Sequence, residues 1–351
     1  MKEKTKKILW FLVFVALVIV TICAIIGQTE DFTLRGFLSF IKNASWGWVA
    51  LALVSMTGFF VFEGLALYVL CRDFGYKQKK TRAIGYASLD VYFSAITPSA
   101  TGGQPASAYY MMKDKIPGAI TTIILLVNLT LYTITIIIIG MVCFVTRIDI
   151  FMQFTTVSKI LITFGFVFQF ILISIFVLLV YKEKLVMRIA SGTMSILNKL
   201  HLMKHVEEKQ KRLVEVEKQY KECAAAIMSH KKTLIIALIF NILQRLSQIM
   251  VTVFVFLATG GTFSKVYDVF ITRGYCVLGA NCVPIPGAVG VSDYLFLDGL
   301  EGLVSDPTNV ELFSQGISFY SCILICGIIS LVIYINESLK GMKQKKNDRI
   351  L

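Results

Sequence analysis

Six runs of overwhelmingly apolar side chains, near residues 8–26, 46–70, 117–145, 159–181, 233–258 and 314–335, constrain this chain more than any other feature. An α-helix needs about 20 such residues to cross roughly 30 Å of hydrocarbon, so the runs predict six spanning helices. The bulk composition argues the same way, because 56% of the residues are hydrophobic and 16% charged, against about 45–50% and 25% in a soluble domain. Lys2, Lys4, Lys6 and Lys7 precede the first run as they would a signal peptide. Its length and the lack of a small-x-small cleavage site favour a retained anchor instead.

The formal charge of +13 could suggest nucleic acid, but its placement reads as topology. Residues 182–232 hold twelve Lys/Arg against six Asp/Glu, and Arg72, Lys77, Lys79, Lys80, Arg82 and the tail from Lys340 to Lys346 are basic too. With the basic N-terminus inside, alternation puts every one of these segments on the cytoplasmic side, with both termini inside. Nucleic acid is not expected as a partner. Within 182–232, Glu207–Lys211, Glu208–Arg212 and Glu217–Lys221 stand at helical i, i+4 spacing, and Val206, Leu213, Val216 and Tyr220 give only a thin apolar stripe. A cytoplasmic linker helix resting on headgroups is expected there.

Two stretches, 84–112 and 264–303, are apolar enough to enter a membrane but carry breakers. They hold four of the six prolines: Pro98, Pro105, Pro284 and Pro286. Proline removes a donor and clashes with the preceding turn, and glycine frees the backbone, so each stretch should be two short helices meeting at an unwound tip. Such a tip is tolerated at membrane depth only when buried in protein or lining a wet cavity. Each hairpin follows two spans and precedes one, the first entering from inside and the second from outside. The predicted fold is therefore all-α and integral to the membrane, with six spans and two broken re-entrant hairpins in an inverted repeat. Residues 1–145 form one half and 146–351 the other, within a single membrane domain 1–351. Transporters of this layout hold substrate between the broken helices near the midplane.

Charged side chains at membrane depth should face an interior or a cavity, which selects Glu63, Asp90, Arg245, Arg273 and Asp293. Asp90, Arg273 and Asp293 could equally brace hairpin ends near an interface. Arg245 stands about 18 Å into its span on the helical rise, with Asn241, Gln244 and Gln248 on the same face. An ion pair with Glu63 is geometrically open to it, as is a lipid phosphate. Ser99, Thr101, Gly102 and Gly103 could present N–H groups and hydroxyls to a phosphate at a helix start, or simply pack tightly. Tyr92, Tyr109, Tyr110 and Tyr294 suit either an interfacial belt or a headgroup vestibule. Cys23, Cys143, Cys322 and Cys326 lie in apolar runs without a Cys-x-x-Cys pattern and read as small core residues. His201 and His205 lack a third metal ligand. No nucleophile–base–acid set, phosphate-binding loop, metal site or cofactor motif is evident, so catalysis is not expected.

At the two breaker segments, Pro98 to Gly103 and Pro284 to Gly290, the chain resembles the lysylphosphatidylglycerol synthase/flippase-type transmembrane family. That family shares a Pro-x-x-x-Gly-Gly element and a later Pro-x-Pro-Gly-x-x-Gly element. The resemblance implies lipid translocation at a bacterial cytoplasmic membrane, with an anionic phospholipid or related lipid as substrate. With the motif residues Pro98, Pro284, Pro286, Gly287, Gly290 and Asp293 added to Ser99, Thr101, Gly102, Gly103, Gln104, Glu63 and Arg245, these are the candidate substrate-binding residues. Gln104 and Ser107 stand where many members carry an acid and an arginine, so a headgroup contact through that arginine does not transfer. Two-function members add a soluble aminoacyl-transferase domain with no counterpart after residue 335, so aminoacyl-lipid synthesis is not expected. A lipid-binding scaffold and an intramembrane lipid-modifying enzyme are the competing readings, and a homo-oligomer or a partner synthase stays open.

Overall fold

The computed structural model describes residues 34–97, 101–181, 231–281 and 290–347, and every α- or β-element among them is a helix. In chain order these are α1 (Leu34–Asn43), α2 (Trp46–Asp73), α3 (Lys80–Ile96), α4 (Gly103–Lys113), α5 (Gly118–Thr146), α6 (Ile148–Gln153) and α7 (Thr156–Tyr181). After residue 230 come α8 (Lys231–Ala258), α9 (Val266–Ala280), α10 (Val291–Leu300), α11 (Pro307–Gln315) and α12 (Cys322–Asn347). Five stretches are long and apolar enough to span a membrane: α2, α5, Thr156–Ile175 of α7, α8, and Pro307–Asn336 of α11 and α12. They coincide with five of the six runs singled out in the sequence. The sixth, 8–26, and the linker helix expected before α8 lie outside the described residues.

The outward faces of these helices bear large apolar side chains such as Val145, Ile160 and Leu324. A water-soluble monomer rarely shows so continuous an apolar surface, whereas acyl chains welcome it. This is a multi-pass membrane protein.

Its axis is an antiparallel pair, α2 against α8, tied along the whole length. The Ser45 amide donates to the Ala258 carbonyl at 2.7 Å, the Ser55 hydroxyl to the Ser247 carbonyl at 2.8 Å, and the Thr233 hydroxyl to Asp73 at 3.0 Å. The first and last of these ties mark opposite ends of the bundle. At the Asp73 end, Arg82 at the start of α3 pairs with Asp114 just past α4, Nε to Oδ2 at 2.5 Å and Nη2 to Oδ1 at 2.9 Å. The Tyr86 hydroxyl donates to the same carboxylate. These bonds hold the outer ends of α3 and α4 together, so the two helices fold back on each other.

At the Ala258 end, Lys265 donates to the Leu303 carbonyl at 2.7 Å and closes α9 and α10 in the same manner. Arg147, past the end of α5, bonds both Asp149 and Asp268 there, and its guanidinium holds the Asp149 carboxyl below the usual range. The order of long helix, broken pair and long helix thus occurs twice, as α2 to α5 and as α8 to α12, with the broken pairs opening at opposite ends. Between α11 and α12 the backbone passes through a π-helical turn, Gly316–Ser321, a feature often found beside functional sites.

Candidate functional site

Between the two sets of helices lies a cavity of about 630 Å³. It falls within the roughly 300–1,000 Å³ of small-molecule sites, large enough for a lipid headgroup without its chains. Glu63 of α2, Asp90 of α3, Gln104 of α4, Asn128 and Tyr132 of α5, Gln244 and Arg245 of α8, Arg273 of α9 and Ser318 of the π-turn all line it. Elements distant in sequence therefore converge on one polar space inside an apolar bundle.

Arg245 is buried, and its helix face with Asn241 and Gln244 turns inward. The guanidinium lies over the Tyr132 ring, 4.6 Å from its centre, and Nη1 donates to Gln248. Its Nε is buried and has no hydrogen-bond partner among the described residues. The ion pair with Glu63 that the sequence left open is not formed. Gln244 intervenes, donating from Nε2 to Glu63 Oε2 at 3.0 Å. One residue on from Gln244, Arg245 leaves α8 about 100° further round the helix, and its side chain goes to Tyr132 and Gln248 instead.

The other arginine, Arg273, lies against the Phe296 ring at 4.9 Å. Its Nη1 donates to Glu311 of α11 at 3.4 Å. Gln315 then bridges Glu311 and Asp293, and Asp293 accepts the Gly290 amide at 2.9 Å at the start of α10. Asp293 thus caps a helix and reaches the cavity through Gln315, which lines it.

On the opposite wall Asp90 accepts from Gln104 Nε2 at 2.8 Å and from the Ser94 hydroxyl at 3.1 Å. Gly103 begins α4 against this carboxylate so closely that a Cβ there would come within 2.1 Å of Asp90 Oδ1 and 2.6 Å of its carbonyl oxygen. Gly103 is required for room. Gly290 has open space around it but a φ of +88°, so there the backbone angle requires glycine.

Of the remaining sequence candidates, Gly102 donates its amide to Thr97 Oγ1 at 2.8 Å, and Thr101 is exposed at the turn. Pro98, Ser99, Pro284, Pro286 and Gly287 lie outside the described residues. None of Tyr92, Tyr109, Tyr110 and Tyr294 lines the cavity. Sequence reasoning missed Glu311, Gln315, Asn128 and Tyr132. Glu311 reads as part of an acidic outer loop, since only the fold carries α11 inward. Asn128 and Tyr132, at i, i+4 in an otherwise apolar span, were a findable signal. The five described cysteines are buried and unbridged.

A family model for the transmembrane region of lysylphosphatidylglycerol synthase matches residues 8–327. Among curated proteins none matches the chain.

Proposed function

The chain belongs to the lysylphosphatidylglycerol synthase transmembrane-region family, and from that membership we propose that it is a lipid transporter of the flippase type. It carries an anionic phospholipid headgroup between leaflets of a bacterial cytoplasmic membrane, without altering the lipid chemically. The observation that carries this reading is Arg245. A buried guanidinium with an unpartnered Nε in a polar cavity offers a phosphate a permanent charge and a planar donor fork. Arg273 lines the same space, already paired with Glu311.

The recurrence of long helix, broken pair and long helix supports an inverted repeat. In that reading the run at 8–26 is the counterpart of α7, the broken pairs are re-entrant, and both termini are cytoplasmic. The two sets would rock about the headgroup, as transporters built from inverted repeats do.

The test is reconstitution into liposomes containing fluorescent phosphatidylglycerol, with a reductant that quenches only the outer leaflet. Faster loss of the protected inner-leaflet signal than in empty liposomes is expected. Arg245→Gln should abolish it in a folded protein and Arg245→Lys restore it in part. Wild-type rates equal to empty liposomes, or full activity in Arg245→Gln, would eliminate the proposal.

A further inference from the structure

The charges inside the bundle do not balance. Among the described residues six charged side chains are buried, the acids Glu63, Asp90, Asp293 and Glu311 and the bases Arg245 and Arg273. Four acids against two bases leave a formal charge of −2. Two of the acids have local compensation, Glu311 from Arg273 and Asp293 from the N-terminal end of α10. Glu63 and Asp90 have only neutral donors, the amides of Gln244 and Gln104 and the Ser94 hydroxyl.

These two carboxylates line the same cavity and repel each other. Beside them Gln244 presents a second feature. Its Nε2 is committed to Glu63, while its Oε1 is buried and unpartnered. While Glu63 is ionised it accepts only, so the amide keeps this orientation, and a carbonyl oxygen is left beside Glu63 with no donor.

The groups facing Glu63 from the surrounding helices are Asp90 of α3, Arg245 of α8, and Cys322 and Cys326 of α12. Arg245 lies within electrostatic reach but forms no salt bridge with Glu63. Arg245 in turn faces Arg273. Glu63 and Asp90 thus make the acid end of the cavity, and Arg245, which bonds no acid among the described residues, stands within reach of both Glu63 and Arg273.

We propose that the acid end, formed by Glu63, Asp90 and the Gln244 carbonyl, binds a small monovalent cation, either a proton or a sodium ion, alongside the lipid anion at Arg245. Oxygen donors of this kind suit hard cations. A proton on either carboxylate would remove the repulsion between them. The bound cation offsets the charge of the acid end, so the anionic headgroup enters an interior that is no longer net negative. Its role in transport rests on the lipid-transporter reading, but its binding does not.

The test uses the full-length protein in detergent and reads thermal stability across a range of pH, in sodium chloride and in N-methylglucamine chloride at equal ionic strength. In N-methylglucamine, stability should fall as pH rises and the pair loses its proton, because the two charges then repel. If sodium is the ligand it should raise Tm at the high-pH end, and Asp90→Asn should remove the rise. If the proton is the ligand, sodium should have no effect, and Asp90→Asn should flatten the fall with pH.

Glu63→Gln serves as the second variant should Asp90→Asn fail to fold. A wild-type Tm indifferent to both sodium and pH would overturn the proposal, and so would an effect that persists in Glu63→Gln/Asp90→Asn. Either negative result, obtained beside active liposomes, would leave lipid transport standing. Cation binding beside inactive liposomes would instead remove the transporter reading alone.

Discussion

The two sets of helices, α2 to α5 and α8 to α12, bring matching elements to the cavity and treat buried charge in opposite ways. In the first set the long helix and the broken pair each contribute an acid, Glu63 and Asp90, and no buried base accompanies them. In the second, the long helix and the broken pair contribute Arg245 and Arg273, and acids from α10 and α11 are tied in through Gln315. One set places two buried bases against two buried acids, and the other holds two buried acids and, among the described residues, no buried base. Matching architecture thus serves two different electrostatic tasks.

The sharpest way to break that contrast is to remove one charge from each set. Arg273→Gln strands Glu311 in the interior, and losing one partner of a buried pair costs about 3–5 kcal/mol. A large fall in Tm or loss of monodisperse protein is expected, with recovery in Arg273→Gln/Glu311→Gln. Asp90→Asn removes a charge held by neutral donors alone, and it should leave Tm unchanged or higher in N-methylglucamine at high pH. Equal damage from Arg273→Gln and Asp90→Asn would end the comparison.

A smaller effect separates the two glycines. Gly103→Ala drives a methyl into the Asp90 carboxylate and backbone, and overpacking of this kind costs about 1–3 kcal/mol. Gly103→Leu should be worse. At Gly290 the strain lies in the backbone angle, about 1–3 kcal/mol for a residue with a side chain, so Gly290→Ala and Gly290→Leu should lower Tm alike. Size dependence at Gly290 matching that at Gly103 would show that both sites are limited by room.

The smallest effect belongs to the outer clamp of α3 and α4. Arg82 and Asp114 are partly exposed, and exposed pairs contribute roughly 0.2–1 kcal/mol. Asp114→Asn should therefore lower Tm slightly and leave lipid movement in liposomes intact. Loss of movement without loss of Tm would mean that the clamp takes part in transport.

The spans were the most legible part of the chain, because twenty apolar residues in a row have few other fates. The breaker segments were legible as interruptions, since clustered prolines and glycines disfavour an unbroken helix, and α3 does end at Ile96 before α4 starts at Gly103. Pairing across the cavity was not. That Glu63 bonds Gln244 rather than Arg245 depends on the rotation of α8 about its own axis, which the polar face of Asn241, Gln244, Arg245 and Gln248 does not fix. Glu311 was hidden for another reason. Its neighbours from Ser305 to Asn309 are polar, and a window average assigns it to solvent, although it points into the core from the first turns of a span.

The pairing of α2 with α8 also has a consequence for how the chain is made. Glu63 and the Gln244 amide that serves it are 181 positions apart. At about 5–20 residues per second of synthesis, roughly 9–36 s separate them at the ribosome. Throughout that interval α2 and α3 exist without the helix that completes their inner wall. Glu63 is therefore made long before its donor, and a chain stopped short of α8 would present both carboxylates to lipid or to the insertion machinery before Arg245 and Arg273 are made.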